Sequence, residues 1–385
     1  TPELDFGGVS AMSFAVKGWC PGAHRPMMSG DGYVVRVRPR LARLTSAQAT
    51  GLCEAAAQHG AGLIDVTNRA NIQIRGVSEA AWPALMTDLE ALGLLDTDAD
   101  TETRRNIVVN PDWVAGDDTE RLAIELIDRL AELPALPAKM GVAIDAGVGP
   151  ILHETSADFR LERSALGLIL RADGRDLGLP LAPGQEIDAL IRLAEWFIAS
   201  GGAEVGRMAR HAAPLPDWAQ GTQAPATARP KLQPGAHPIG AVYGLGFGQV
   251  RAVDLMQAIR DSGADGLRIT PWRMLLLEGA KAGPHTGLIV EANSPLMRVD
   301  ACPGAPFCPQ SSVETRALAA QLAPVVKGQL HVSGCAKGCA RKARADTVVI
   351  GDHGRFNIAL NACAGDDPVE TGLTHTQILD YFGAA

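Results

Sequence analysis

The sequence predicts a duplicated α+β protein with pseudo-twofold organisation, in which a β-α-β unit occurs twice and each copy is followed by an α/β domain. Three observations carry this reading. A weak internal repeat relates residues 33–75 to residues 239–277. A proline-rich stretch, with Pro214, Pro216, Pro225, Pro230, Pro234 and Pro238 inside residues 212–238, separates the copies. Four of the seven cysteines fall between Cys302 and Cys339, which marks the last part of the chain as a metal-holding domain.

In the first copy, Tyr33–Arg38 alternates as a strand, and Ser46–His59 is helical, with Thr45 and Gln48 spaced as a capping box and Gly60 as its stop. Leu63–Arg75 closes the unit as a strand. The second copy repeats the order: strand Ile239–Phe247, helix Val253–Arg260 ending at Asp261-Ser262-Gly263, and strand Leu267–Leu277. Thr67 to Gly76 and Thr270 to Gly279 even share a nine-residue interval. Gly244, Gly246 and Gly248 lack the spacing of a dinucleotide loop and read as close backbone packing within the second copy's first strand.

Residues 104–200 carry a further α/β unit. Its elements are a helix over Thr119–Leu133, strands over Lys139–Val148, Asp158–Ala165 and Leu168–Arg171, and an amphipathic helix over Ile187–Ser200 that stops at Gly201-Gly202. The expected organisation is therefore a first half with its N-terminal segment (1–100), an α/β domain (101–211), a linker (212–238), a second half (239–296) and a cysteine-bearing α/β domain (297–385).

At 385 residues, 46% hydrophobic and 20% charged, the chain buries more than one core. Its net charge of −8 argues against nucleic acid or an anionic membrane as a general partner, so an anionic ligand must meet a local basic patch. No run of eighteen apolar residues appears, and Thr1–Phe6 lacks a basic region followed by an apolar one; a cytoplasmic protein is expected.

Cys302-x5-Cys308 and Cys335-x3-Cys339 offer four thiolates at spacings wider than the tight pairs that clasp a single zinc ion. A [4Fe–4S] cluster fits them better than zinc or four unmetallated thiols, and without a C-x3-C-x2-C triplet a radical-SAM site is not indicated. Glycine and alanine neighbours let backbone N–H groups approach the sulfurs, and a helix predicted over Ser312–Leu322 would bring its positive end near Cys308.

A second concentration of chemistry lies in Thr67–Arg75, where Arg69, Asn71, Gln73 and Arg75 alternate with Ala70, Ile72 and Ile74. Arg36 and Arg38 alternate likewise on the preceding strand, and Arg104, Arg105 and Arg163 add guanidinium groups. Any one of them suits a solvated sheet face. Together, in an acidic protein, they point to a polycarboxylate ligand, because guanidinium forks grip carboxylates bidentately. His153, Glu154 and Asp158 form the only compact group with facial-triad ligand types, although a surface loop explains it better. Cys20 reads as a lone thiol.

These residues resemble the sulfite and nitrite reductase haemoprotein family. The shared marks are the C-x5-C…C-x3-C cysteines, a Thr-x-Arg-x-x-x-Gln strand (Thr67, Arg69, Gln73), an Arg-Asn pair (Arg105, Asn106) and a Pro-x-Lys-x-Lys segment, here Pro137-Ala138-Lys139-Met140-Gly141. The resemblance implies two ferredoxin-like halves and two α/β domains. It implies catalytic roles for Arg69, Arg105 and Lys139 and places Arg69, Gln73, Arg105 and Asn106 at the ligand, while the strand alternation adds Arg36, Arg38, Asn71 and Arg75 to the binding surface. Gly141 departs from the family by standing where its second lysine belongs.

The stretch Gly18-Trp19-Cys20-Pro21-Gly22 through Pro26–Gly32 resembles the precorrin-3B synthase branch instead. That likeness implies a monooxygenase taking precorrin-3A and O2, hydroxylation at C20 with γ-lactone closure, and a mononuclear non-haem iron beside the cluster. With no flavin or nicotinamide motif, NADH would serve indirectly through a separate reductase. The competing expectations are a sirohaem-dependent sulfite or nitrite reductase and a non-catalytic tetrapyrrole carrier with a structural cluster.

Overall fold

A computed structural model describes residues 21–384. They form two compact units, residues 21–297 and residues 298–384. The first opens with β1 (Met27–Ser29), β2 (Gly32–Val37), β3 (Arg43–Thr45), α1 (Ser46–His59), β4 (Leu63–Val66) and β5 (Ile72–Val77). The capping box forms as its spacing predicts: the Gln48 N–H donates to Thr45 Oγ1 and the Thr45 N–H to Gln48 Oε1. Helices α2 (Trp82–Ala91) and α3 (Ala99–Arg104) follow.

Next come β6 (Ile107–Val109), α4 (Asp118–Asp128), β7 (Val142–Asp145), β8 (Phe159–Ser164), β9 (Gly167–Ala172), β10 (Leu179–Pro180), α5 (Glu186–Ala199) and the short α6 (Gly202–Val205). The second copy supplies β11 (Gly235–His237), β12 (Gly240–Gly244), β13 (Gln249–Arg251), α7 (Ala252–Ser262), β14 (Gly266–Ile269) and β15 (Met274–Glu278).

The two copies complete each other's sheets. The orders are β1-β2-β5-β4-β13 and β11-β12-β15-β14-β3, so each copy lends one short strand to the other, with Val250 opposite Ile64 and Leu44 opposite Leu267. The helices α1 and α7 pack together against these sheets over a core of fully buried Leu44, Leu52, Ile64, Ile72 and Ile74. Neither copy can bury its own faces alone, which is the physical content of the repeat.

The closing strands expected over Leu63–Arg75 and Leu267–Leu277 are each two strands joined by a tight turn. Polar-apolar alternation continues through Thr67–Asn71, but Thr67 Oγ1 accepts from the Arg69 and Asn71 N–H groups and Ala70 adopts φ 53°, which folds the chain back on itself. The strand expected over Ile239–Phe247 likewise stops at Gly244, before a turn at Phe247 (φ 58°). Gly244 and Gly248 are close-packed as predicted, a Cβ lying 2.2 Å from Met297 Sδ at Gly244 and 3.1 Å from the Val66 carbonyl oxygen at Gly248, but Gly246 has room, with Leu296 at 3.9 Å, and it and Gly248 lie beyond the strand.

A third sheet, β10-β9-β8-β7-β6, carries α4 and α5 over buried Phe159, Leu161, Leu122, Leu126 and Phe197. Residues 212–238 run beside it, pairing Pro225 with Ser164 and Gln223 with Gly178.

The second unit holds β16 (Val299–Ala301), α8 (Arg316–Leu322), β17 (Leu330–Ser333), β18 (Ala345–Asp352), β19 (Arg355–Ala362), β20 (Glu370–Leu373) and α9 (His375–Phe382), in sheet order β16-β17-β18-β19-β20. Its helix starts at Arg316 rather than Ser312, because the Ser311 hydroxyl donates to the Val313 carbonyl and holds that segment as a turn. Among the described residues no helix is long and apolar enough to cross a membrane.

Candidate functional site

The paired strands place Arg36 on β2 opposite Gln73 on β5, and Gln73 opposite Asp65 on β4. One sheet face is therefore polar, as the alternation predicts, but most of its charge is neutralised within the protein. Arg75 is buried and donates to Asp31 (2.8 and 3.0 Å) and to Asp65 (3.3 Å). Arg105, also buried, forms a bidentate pair with Asp96 at 2.8 Å on both arms. Arg163 binds Asp118 at 2.6 Å, away from the other predicted residues.

Arg69 sits in the β4–β5 turn, not on the strand, and its guanidinium donates to the Lys139 carbonyl at 2.7 Å. Lys139 itself is exposed. Arg38, Asn71 and Arg105 meet in one crevice lined also by Ala70 and Ile107. Asn106 donates its amide to the Met140 carbonyl.

Sequence reasoning named the arginines and missed their carboxylate partners. Asp65, inside the strand Leu63–Val66, was the available signal, since a carboxylate in the middle of an apolar strand needs a buried partner. Glu102 was missed too. It is buried, accepts from the Ala23 (2.6 Å) and His24 (3.2 Å) N–H groups, and its carbonyl accepts from Arg38. A Cβ on Gly22 would fall 2.2 Å from Glu102 Oε2, so the end of the N-terminal motif is clasped against this carboxylate. Gly18, Trp19 and Cys20 lie outside the described residues.

Gly141 is enforced by its surroundings. A Cβ there would stand 2.8 Å from the Asn106 carbonyl oxygen and 2.9 Å from Asn106 Nδ2, while its own N–H donates to Asp158 at 3.1 Å. A lysine cannot occupy this position without moving Asn106, just before β6. The segment is moored at Asp158, which is fully buried and also binds Arg207 (2.8 Å) and the Met208 N–H (2.9 Å).

With Asp158 committed to that role, the His153, Glu154, Asp158 group does not converge. His153 and Glu154 are exposed, and Glu154 pairs with Lys231 at 2.5 Å. Among the described residues no three His, Cys, Asp or Glu side chains gather around the volume of a single metal ion. No site for a mononuclear iron follows from them.

The four predicted cysteines lie on the loops flanking β16 and β17. Cys302 is buried, receives the Gly334 N–H at 3.1 Å on its sulfur, and has its carbonyl bonded by the Thr315 hydroxyl at 2.5 Å. The Cys335 carbonyl accepts from the Ser333 hydroxyl at 2.7 Å, and the Cys308 N–H donates to the Gly304 carbonyl at 2.7 Å. Partial burial raises the Cys339 thiol; Lys337 opposes that rise, and Cys302 and Cys335 add to it. The start of α8 is tied through Thr315 to Cys302, not to Cys308 as expected.

These loops suit a cluster better than an ion. A single zinc draws four sulfurs to about 2.3 Å from one centre. A cubane spreads its thiolates over separate corners and gains from N–H donors to sulfur. Gly334 fits that need: a Cβ would strike Ser311 Oγ at 2.1 Å and press on Cys302 Sγ at 3.5 Å, so only a bare backbone can donate here.

Comparison with known proteins adds four findings. The Nitrite/Sulfite reductase ferredoxin-like half domain matches residues 25–92. Precorrin-3B synthase of Sinorhizobium sp. is 30% identical, over 94% of this chain and 86% of the relative; ferredoxin–nitrite reductase of Synechococcus elongatus is 25% identical, over 85% and 77%. The Mycobacterium tuberculosis NirA protein shares the fold, with a TM-score of 0.61 at 20% identity, covering 91% of this chain and 79% of that one.

Proposed function

Because the chain belongs to the precorrin-3B synthase family, we propose that it is an O2-dependent monooxygenase that hydroxylates precorrin-3A at C20, with γ-lactone formation from the ring A acetate. The observation that carries this reading is Gly141. A reductase of small anions needs a dense cationic pocket to bring in its substrate and protons, and the Asn106 backbone leaves no room for the second lysine. A large polycarboxylate needs instead a broad basic surface and a fixed pose, so that one meso carbon meets the oxidant.

On this reading Arg36, Arg69 and Gln73 meet substrate carboxylates directly. A carboxylate is a stronger acceptor than the Lys139 carbonyl and competes with it for Arg69. Arg75 and Arg105, locked to Asp31, Asp65 and Asp96, hold that surface in shape, while Arg38 and Asn71 line the crevice beside it. Cys302, Cys308, Cys335 and Cys339 would hold a [4Fe–4S] cluster, which supplies one-electron transfer when bound. Electrons from NADH would enter through a separate reductase.

The test supplies the purified protein with precorrin-3A, a reductant and 18O2, and weighs the tetrapyrrole by mass spectrometry. One labelled oxygen in the product is expected. An unlabelled product, or sulfite or nitrite reduction with an intense sirohaem band, would assign the chain to the reductases; bound but unchanged precorrin would make it a carrier.

A further inference from the structure

Next to Gly141 the first unit contains a cavity of about 200 Å³ that no expected role uses. Its wall is apolar, from Leu133, Pro137, Met140 and Val142, and Asn106 and Gly141 form part of its lining. Arg104 stands at its edge. On the predicted surface Arg75 is neutralised by Asp31 and Asp65, and Arg105 by Asp96. Arg104 differs. Among the described residues it donates to the Leu133 carbonyl at 2.5 Å and makes no ion pair. Asp100, one turn earlier on α3, also lines the cavity but is exposed.

The chemistry of this lining is that of a short alkyl carboxylate, with methylenes against the apolar wall and the anion on the guanidinium. The segment that lines the cavity also touches the predicted binding surface, since Arg69 grips the carbonyl of Lys139, two residues before Gly141. Any side chain at position 141 would press on Asn106, which forms part of the same lining.

We propose that this cavity is a subsite for one carboxyalkyl arm of the tetrapyrrole, with Arg104 as its anchor. The inference rests on the tetrapyrrole reading above. Its test uses uroporphyrin III as an octacarboxylate probe, followed by fluorescence quenching on the full chain. The Arg104→Gln protein should bind roughly ten- to a hundredfold more weakly, the usual range for a lost charge-assisted hydrogen bond. Ala135→Phe, at an exposed residue of the lining, should fill the cavity and weaken binding without disturbing the core. In the double variant the Arg104 effect should largely vanish, because the arm is already excluded. If the parent binds the probe and both single variants bind it equally well, the subsite is overturned. If the parent does not bind it at all, the tetrapyrrole reading fails first.

Discussion

The two β-α-β copies share their backbone down to unusual dihedral angles and differ in the sign of their buried charge. Leu41 (φ 52°) corresponds to Phe247 (φ 58°), and Ala70 (φ 53°) to Arg273 (φ 59°). Thr67 and Thr270 close identical turns through their hydroxyls. In the first copy Asp65 on β4 pairs with Arg75 on β5; in the second, the matching positions hold Arg268 and Glu278. The lent strands follow suit, with Gln249 donating to Asp65 at 2.7 Å and Arg43 to Glu278 at 2.6 Å. Both copies hold an ion pair at this place, in opposite directions, so the backbone accommodates either polarity. Only the first copy presents its arginines together with Arg36 and Gln73.

The α/β sheets make a parallel contrast. β6 to β10 and β16 to β20 have the same strand succession, parallel then antiparallel, yet only the second carries cysteines on its loops. Changing Cys302, Cys308, Cys335 or Cys339 to Ser should abolish most iron and acid-labile sulfide, measured chemically on protein purified without oxygen. Cys53→Ser, at a buried thiol whose pKa burial pushes up to about 12, should leave both contents intact. Equal loss at Cys53 would erase the contrast.

Next in size is Glu278. Burial alone would raise its carboxyl, but hydrogen bonds from Arg43 and Arg268 outweigh this and hold it below the usual range. Glu278→Leu strands two guanidinium groups and should cost about 3–5 kcal/mol in urea unfolding. Arg75→Met strands Asp31 and Asp65 and should cost about 3 kcal/mol, somewhat less because Gln249 still binds Asp65. If Arg75→Met instead keeps full stability and loses affinity for the probe, Arg75 is a substrate clamp and the mirrored pairs are not equivalent.

Asp145, on β7, separates the third sheet from the cysteine-bearing one by pH. Burial raises its carboxyl to about 6, despite N–H donors on Ile151 and Leu152, and the Glu162 charge adds to the rise. The folded state then binds an extra proton between roughly pH 4 and 6, so this contribution is fully present below about pH 4 and is lost as pH rises through 6. The loss is about 3 kcal/mol, and Asp145→Asn should flatten that slope in unfolding midpoints measured across the range. The smallest effect tests the shared turns. Ala70→Gly should change stability by less than about 1 kcal/mol in the favourable direction, as a left-handed residue loses its Cβ penalty. Arg273→Gly should gain nothing, because its stem packs at Gly248.

Much of this was legible from residue order alone. Spacing determined the repeat, the Thr45–Gln48 capping box and the α4 and α5 helices, because these rest on local geometry and short-range periodicity. What alternation could not separate was a long strand from two strands and a turn, since Thr67–Asn71 keeps the polar rhythm while its hydroxyl reverses the chain. Nor could it show that the copies trade β3 and β13, a pairing across about 200 residues that no local preference encodes. The arginines were visible in the sequence, but their availability was not. Only the tertiary structure brings Asp31, Asp65 and Asp96 onto Arg75 and Arg105 and leaves Arg104 beside a cavity with no ion pair among the described residues, because pairing depends on which side chains burial forces to share one low-dielectric space.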